Sequence, residues 1–354
     1  MIHIRLPLKM IHIRLPLILF LILTLTAEIS PSQSTEDVWP NIIPQETNIE
    51  LSIDSVKAIK TVEFENTDLL SPGLLKAHKN VGIFYDFYRN QIYRINLDER
   101  SLPVEIGFGN GVGPGEFRSI LSIAISDEND ILAVDPRLQR ISKFDKNGDI
   151  TESFRLEEGV PSKVSFMRDY FVVKFQSVSN NQNLFGIYDT EKRLVRDFHP
   201  TEQLDIPSPL FYEGRIASDN ERIVYGSLNY GVIMIYDFNN QKKIIRSKIQ
   251  PIDGLKLNKE QTSVGTMISP ARESRTSTLD IEIFNEEIVV LQAYNYKLRS
   301  DRLDFYDIHT GDYLRTTYLD KEVINIAVRD DEDIMYAVEE DLENGLRTIH
   351  KYKF

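Results

Sequence analysis

Two stretches of this chain align without a gap. LSIAISDENDILAV, from Leu121 to Val134, and INIAVRDDEDIMYA, from Ile324 to Ala337, match Ile123 with Ile326, Asp127 with Asp330, Asp130 with Asp333 and Ile131 with Ile334. Each reads as a strand, an acidic turn and a second strand, because apolar residues flank a cluster of turn formers. Leu210 to Gly226, which contains IASDNERIVYG, is a third copy, and Ser165–Lys174 and Ile283–Gln292 are weaker ones. A unit of this size cannot bury its apolar face alone, so its copies must stack on one another.

A second landmark follows each hairpin: a short apolar strand, then a polar turn. The copies are RISKFDKNG with Asp145, FGIYDTEKR with Asp189, IMIYDFNNQ with Asp237 and LDFYDIHTGD with Asp307. Weaker forms are IYRINLDER with Asn96 and TIHKYK with Lys353. The intervals are 49, 44, 48, 70 and 46 residues, and four of them fit the roughly 40–50 residues of a four-stranded propeller blade. The long interval holds an insertion at about 250–276, in which Leu255–Val264 is the one stretch compatible with an amphipathic helix. Most units add a fourth strand, at Thr151–Phe154, Leu194–Phe198, Lys242–Lys248 and Tyr313–Tyr318. The last unit ends at Phe354 in its third strand. IELSIDSVKAIKTVEF, from Ile49 to Phe64, reads as extended and is the natural donor of the missing strand, since pairing it there removes an exposed sheet edge. The expectation is an all-β, six-bladed propeller of four-stranded antiparallel blades whose last blade is completed by an N-terminal strand.

Arg5, Lys9 and Arg14 precede the uncharged run LPLILFLILTLTA from Leu15 to Ala27. A basic start and an apolar stretch of this length form a signal-peptide pattern, and the run is short for a membrane span of about 20 residues. We expect a signal peptide at 1–27, a linker at 28–48 and the propeller at 49–354, with a periplasmic or extracellular location. The alternative is an uncleaved leader that anchors the chain to a membrane. IHIRLPL occurs at Ile2–Leu8 and again at Ile11–Leu17, so Met10 is an alternative start. The formal net charge of −13 argues against nucleic acid, whose binding rests on neutralising phosphates with Lys and Arg. With no cysteine, disulfide frameworks, thiolate metal sites and lipid-modified cysteine are excluded.

The unit from Gly109 to Asp149 reads GNGVGPGEF, a hairpin, then DPRLQRISKFDKNGD. It resembles an NHL-type blade: a GxGPGEF turn, an apolar strand, an Asp/Asn-rich hairpin, a loop carrying Arg and an FDxxG close. That blade covers about an eighth of the chain, and the other five units lack GPGEF. Over its whole length the chain resembles the NHL-like or TolB-like six-bladed propellers secreted by bacteria, and VEFENTD at Val62–Asp68 is similar to their N-terminal segment. The resemblance implies fold and export but no activity, since one fold hosts many functions.

No catalytic constellation stands out, and neither a cofactor nor a metal is expected. GFGNGVGPGEF, from Gly107 to Phe117, precedes a strand and not the helix that a dinucleotide fingerprint requires, so its glycines read as turn residues. The acidic hairpin tips lack the spacing of a calcium loop. His78, His199, His309 and His350 fall at different blade registers. Loops joining second to third strands share a face with loops joining successive blades, and loops on a rigid scaffold carry binding groups. That face collects Arg137, Arg140, Arg272, Arg275, Tyr294, Tyr296, Arg299 and Arg302, a set suited to an anionic or polar ligand, although Glu339, Glu340, Asp341 and Glu343 share the rim. The expected function is non-enzymatic binding or scaffolding of a protein, peptide or glycan. The alternatives are a lactonase-like, metal-dependent hydrolase or lyase in the central channel, and a sensor domain of a membrane complex.

Overall fold

The computed structural model describes residues 38–39, 41–46, 52–62, 70–176, 183–200, 209–249, 257–262, 265–271, 276–293, 298–329, 332–341, 343 and 345–354. The leader and most of VEFENTD lie outside them. Two short strands come first, β1 (Ile53–Val56) and β2 (Lys60–Thr61). Four antiparallel meanders follow: β3 (Pro72–His78), β4 (Val81–Asp86), β5 (Gln91–Asn96) and β6 (Val104–Ile106); then β7 (Ser122–Ile125), β8 (Ile131–Asp135), β9 (Arg140–Phe144) and β10 (Ile150–Phe154). The third holds β11 (Pro161–Met167), β12 (Tyr170–Phe175), β13 (Phe185–Asp189) and β14 (Leu194–Phe198); the fourth holds β15 (Gly214–Ser218), β16 (Arg222–Ser227), β17 (Val232–Asp237) and β18 (Lys242–Ser247). After a separate hairpin, β19 (Leu257–Thr262) and β20 (Gly265–Pro270), come β21 (Thr278–Phe284), β22 (Glu287–Gln292), β23 (Ser300–Asp307), β24 (Tyr313–Arg329), β25 (Ile334–Glu340) and β26 (Arg347–Lys353).

These last strands form one eight-stranded sheet with β1 and β2. Its register divides it in two. β24 pairs with β23 from Tyr313 to Tyr318, and with β25 from Asn325 to Arg329, and Val323 between them meets both, opposite Ser300 and Glu339. One four-stranded unit is therefore β21–β24, and the next is the far part of β24 with β25, β26 and β2. The first strands of the units touch in a closed circle, β3 to β7, β11, β15, β21, β24 and back to β3. Six clusters of buried side chains fill the spaces between successive units. This is a β-propeller, whose closure leaves only short, protected sheet edges.

The recurring aspartates explain where third strands stop. Asp145 Oδ1 accepts the amides of Asn147 and Asp149, Asp189 Oδ1 those of Glu191 and Arg193, and Asp307 Oδ1 those of His309 and Thr310. A carboxylate that bonds amides just ahead of it closes a turn locally. The Gly-rich loop is likewise a built turn. Gly107, Gly109 and Gly115 have φ of 80°, 74° and 77°, the Phe108 amide donates to Gly115 O at 2.7 Å, and Glu116 Oε2 accepts the amides of Val112 and Gly113.

Two expectations change in form. The Ile49–Phe64 segment is not one strand on the last unit. β1 runs parallel to β24 at Thr316–Leu319, on the edge of the preceding unit, and only β2 completes the last one, opposite Lys351 and His350. The N-terminal segment follows β24 because β24 itself crosses between units without a turn. Leu255–Val264 is not a helix where it is described: Leu257–Thr262 pairs in register with Gly265–Pro270. After Leu257, NKEQT offers no apolar stripe to bury.

Part of the stretch read as a linker is seated on the ring. Val38 and Trp39 are fully buried among side chains of the third and fourth units. Ile43 bridges Arg246 of β18, and the Gln45 side chain donates to Ser247 O and Gly311 O and accepts from the Tyr313 amide.

Candidate functional site on the propeller axis

Pairing registers place Ser122, Lys163, Arg215, Asp280 and Asn325 at one level of five successive first strands, opposite Val134, Lys174, Gly226, Leu291 and Val338. All five line a cavity of about 300 Å³ that opens between Phe87, Leu298, Glu340 and Arg347. Those four lie in or beside loops joining second to third strands, so the mouth is on the face the sequence singles out. A smaller space of about 140 Å³ lies toward the hairpin end, lined by Lys76, Ser165, Ser218 and Glu282 among others.

Charge on the axis is arranged unevenly. Asp280 Oδ2 accepts from Asn325 Nδ2 and from the Ile326 amide at 3.1 Å, and Asn325 Oδ1 accepts the Leu75 amide at 2.7 Å. Lys76 pairs with Glu282; burial opposes its charge, but Glu282 and Asp280 outweigh burial and hold its pKa above the ordinary lysine value. Lys163 has no such partner among the described residues. It is 9% exposed and donates to Leu121 O at 2.8 Å. Burial, reinforced by repulsion from Arg215, pushes its pKa well down. Arg215 is half-buried and donates through Nε to Leu279 O at 2.7 Å. Among the described residues neither Lys163 nor Arg215 forms an ion pair. Behind them Lys174 Nζ lies 4.0 Å from Glu213.

The rim is apolar in several places. Phe87 and Tyr88 in the β4–β5 loop, Phe108 and Val112 in the β6–β7 loop, Leu298 before β23 and Leu346 before β26 are all exposed and all on this face. Gly73 lies directly beneath it, where a Cβ would meet the Phe87 ring at 2.5 Å and Arg347 Nη1 at 2.9 Å. Arg347 lies 5.4 Å from the Phe87 ring centre and is held by Glu340 through Nε at 3.0 Å and Nη2 at 2.8 Å.

Of the eight residues anticipated here, Arg272, Arg275, Tyr294 and Tyr296 lie outside the described residues. Arg137 is exposed in the β8–β9 loop. Arg140 donates to the carbonyls of Val112 and Glu116 and so braces the Gly-rich loop. Arg299 pairs with Glu322 at 2.8 Å. Arg302 Nε meets the fully buried Asp304 at 2.8 Å, inside its own unit. The four described arginines share a face without converging on one point. Lys163, Arg215, Asp280 and Asn325 escaped notice, although one signal was present: the residue before each aligned isoleucine is polar, namely Ser122 before Ile123, Arg215 before Ile216 and Asn325 before Ile326. Among the described residues no three His, Cys, Asp or Glu side chains are grouped so as to hold a metal ion. His78 lies beside Asp127, His309 beside Arg222 and His350 beside Glu339, at separate places in the ring.

No family profile and no curated protein sequence matches the chain. Solved structures do. A candidate exported protein of Bacteroides fragilis is 13% identical, with 86% of this chain and 99% of that one aligned at a TM-score of 0.56. A member of the DUF4221 family from Bacteroides vulgatus is also 13% identical, over 84% of this chain and 98% of that one, at 0.57. The WD40 repeats of RRP9 are 10% identical, over 84% and 97%, at 0.52. At such identities these likenesses establish the propeller fold.

Proposed function

We propose that this chain is an exported, six-bladed binding propeller that receives a protein partner on its axial loop face. The observation that carries the reading is the coincidence on one face of an open axial cavity and a ring of exposed apolar side chains, Phe87, Tyr88, Phe108, Val112, Leu298 and Leu346. Exposed apolar groups around a polar centre are what an interaction surface offers. Export is supported by the basic and apolar N-terminal pattern and by the similarity to a candidate exported protein. Arg137 and the four anticipated residues outside the described regions belong to the same proposed surface.

Photo-crosslinking in cells tests the surface. A photoreactive residue at Leu298 or Phe108 is expected to give a discrete adduct with another protein. The same residue at Leu194, exposed on the outer strand β14, is expected to give none. Adducts that do not depend on position, or none at Leu298 and Phe108, would overturn the reading. Mass spectrometry of the mature N-terminus tests export: cleavage near Ala27 is the expected result, and an intact leader would favour a membrane-anchored sensor.

A further inference from the structure

We propose that the axial cavity binds a single carboxylate, held by Arg215 and Lys163, with the remainder of the ligand apolar and facing Leu74, Leu279, Phe87 and Leu298. This rests on the binding reading above and names the chemistry its central pocket recognises.

Unused donors are the first argument. Lys163 carries three N–H groups and Arg215 five. Among the described residues each spends one, on Leu121 O and Leu279 O respectively. The terminal nitrogens of Arg215 are therefore available, and a planar pair of N–H groups matches a carboxylate bidentately. Lys163 is more than nine-tenths buried, so bulk water is poorly placed to replace the missing acceptor. A buried ammonium without a counter-charge is costly, and an incoming anion removes that cost.

Charge balance selects a monoanion. The groups around the axis are Lys76, Lys163, Lys174 and Arg215 against Glu213, Asp280 and Glu282. Lys76 is matched by Glu282 and Lys174 by Glu213. Asp280 faces Lys163 and Arg215 together, which leaves one positive charge uncompensated when Lys163 is protonated. Asp280 is itself satisfied by Asn325 Nδ2 and the amides of Ile326 and Ile281, so it does not use up the arginine fork. A carboxylate neutralises the excess, whereas a dianion overshoots it.

Apolar walls and size complete the specification. About 300 Å³ is the low end of small-ligand pockets, and the mouth is bordered by Phe87 and Leu298. A short organic acid fits this description, as does the free carboxylate at the end of a polypeptide. Both present the same chemistry.

Binding also carries a proton. The groups facing Lys163 are Arg215 on the neighbouring β15, Asp280 one strand further on β21, Lys174 on β12 and Glu213 before β15, and burial with Arg215 keeps its amine readily deprotonated. A carboxylate beside it restores the ammonium form, so affinity rises as pH falls.

The experiment is a thermal-shift and calorimetric comparison on the full chain. Probes are straight and branched monocarboxylic acids of two to eight carbons, each with its neutral amide, and hexapeptides with apolar ends carrying either a free or an amidated C-terminus. At about ten times Kd, a bound acid is expected to raise Tm by roughly 2 °C. Its amide should not, and Arg215→Met and Lys163→Met should each lower affinity at least tenfold while unfolding cooperatively. Proton uptake should appear as a buffer-dependent binding enthalpy that Lys163→Met abolishes. A response to peptides alone identifies a chain terminus as the source, and a response to acids alone identifies a free metabolite. The proposal is overturned if no carboxylate shifts Tm, if amides bind equally, or if both variants bind as well as the wild type. Adduct formation at Leu298 would survive those results, so the two readings fail separately.

Discussion

Trp39 is the one tryptophan of the chain, and in sequence it precedes all the repeats that define the fold. Its ring is fully buried, stacked on Tyr225 at 5.8 Å between centres and edge-on to Tyr212 at 5.4 Å. Truncating a buried tryptophan to alanine costs about 3–5 kcal/mol. A term of opposite sign must be included, because among the described residues Trp39 Nε1 is buried without a hydrogen-bond partner. Removing that donor returns about 1 kcal/mol, so Trp39→Ala should cost roughly 2–4 kcal/mol. Trp39→Phe keeps a ring and drops the orphan N–H, so it should lose less than half as much. Urea unfolding followed by far-UV circular dichroism gives the differences. In the wild type the fluorescence of the same indole should be blue-shifted, and should redden in the same transition. A water-like native emission, or a loss below about 1 kcal/mol on Trp39→Ala, would show that residues 38–46 are not packed on the ring and refute the reasoning.

Lys248 gives a pH test. It is buried, donates to Thr278 Oγ1 at 2.7 Å and Gln292 Oε1 at 3.0 Å, and burial lowers its pKa to about 7, with Asp304 opposing and Arg302 assisting. The unfolded chain holds this proton up to pH ~10.4 and the folded chain releases it above about 7. Between those values the unfolded state binds more protons, so stability rises with pH, by up to ~1.4 kcal/mol per unit from this group. Lys248→Met should flatten that slope in urea titrations at pH 7, 8 and 9, and an unchanged slope would contradict the assignment. In the Gly-rich loop, Gly107→Ala places a Cβ 2.6 Å from Gly115 O at a φ of +80°. It should cost roughly 1–3 kcal/mol, whereas a substitution without effect on the urea midpoint would mean the loop is not closed as described.

The hairpins and the aspartate turns are readable in the sequence because their causes are local: a carboxylate at Asp145 or Asp307 bonds amides within four residues. The crossing of β24 is not. YLDKEV, from Tyr318 to Val323, holds one turn former, Asp320, which reads as an ordinary break between two strands, and only the positions of its two partner strands reveal that one strand serves two units. Trp39 is equally silent, since a lone aromatic in a polar stretch has no periodicity to reveal burial. The arginines of the loop face were legible as charges, but what they bind is a matter of distance: Arg140 reaches back across 28 residues to Val112 O, and Arg302 turns to Asp304. Lys163 and Asp280 fall just ahead of the weaker repeat copies, Ser165–Lys174 and Ile283–Gln292, where a polar residue in a strand reads as ordinary alternation toward solvent. Their meeting depends on closing the ring.

That closure is open to direct measurement in a chain without cysteine. Thr61 of β2 stands opposite His350 of β26, and facing residues on antiparallel strands are spaced for a disulfide. The double variant Thr61→Cys/His350→Cys should oxidise to an intramolecular bond joining the two ends of the propeller, detected by mass after proteolysis. Thr61→Cys paired with Lys242→Cys on the fourth unit should stay reduced. Two free thiols in the first variant after oxidation, or a bond in the second, would place the N-terminal segment elsewhere and contradict the completion of the last unit by β2.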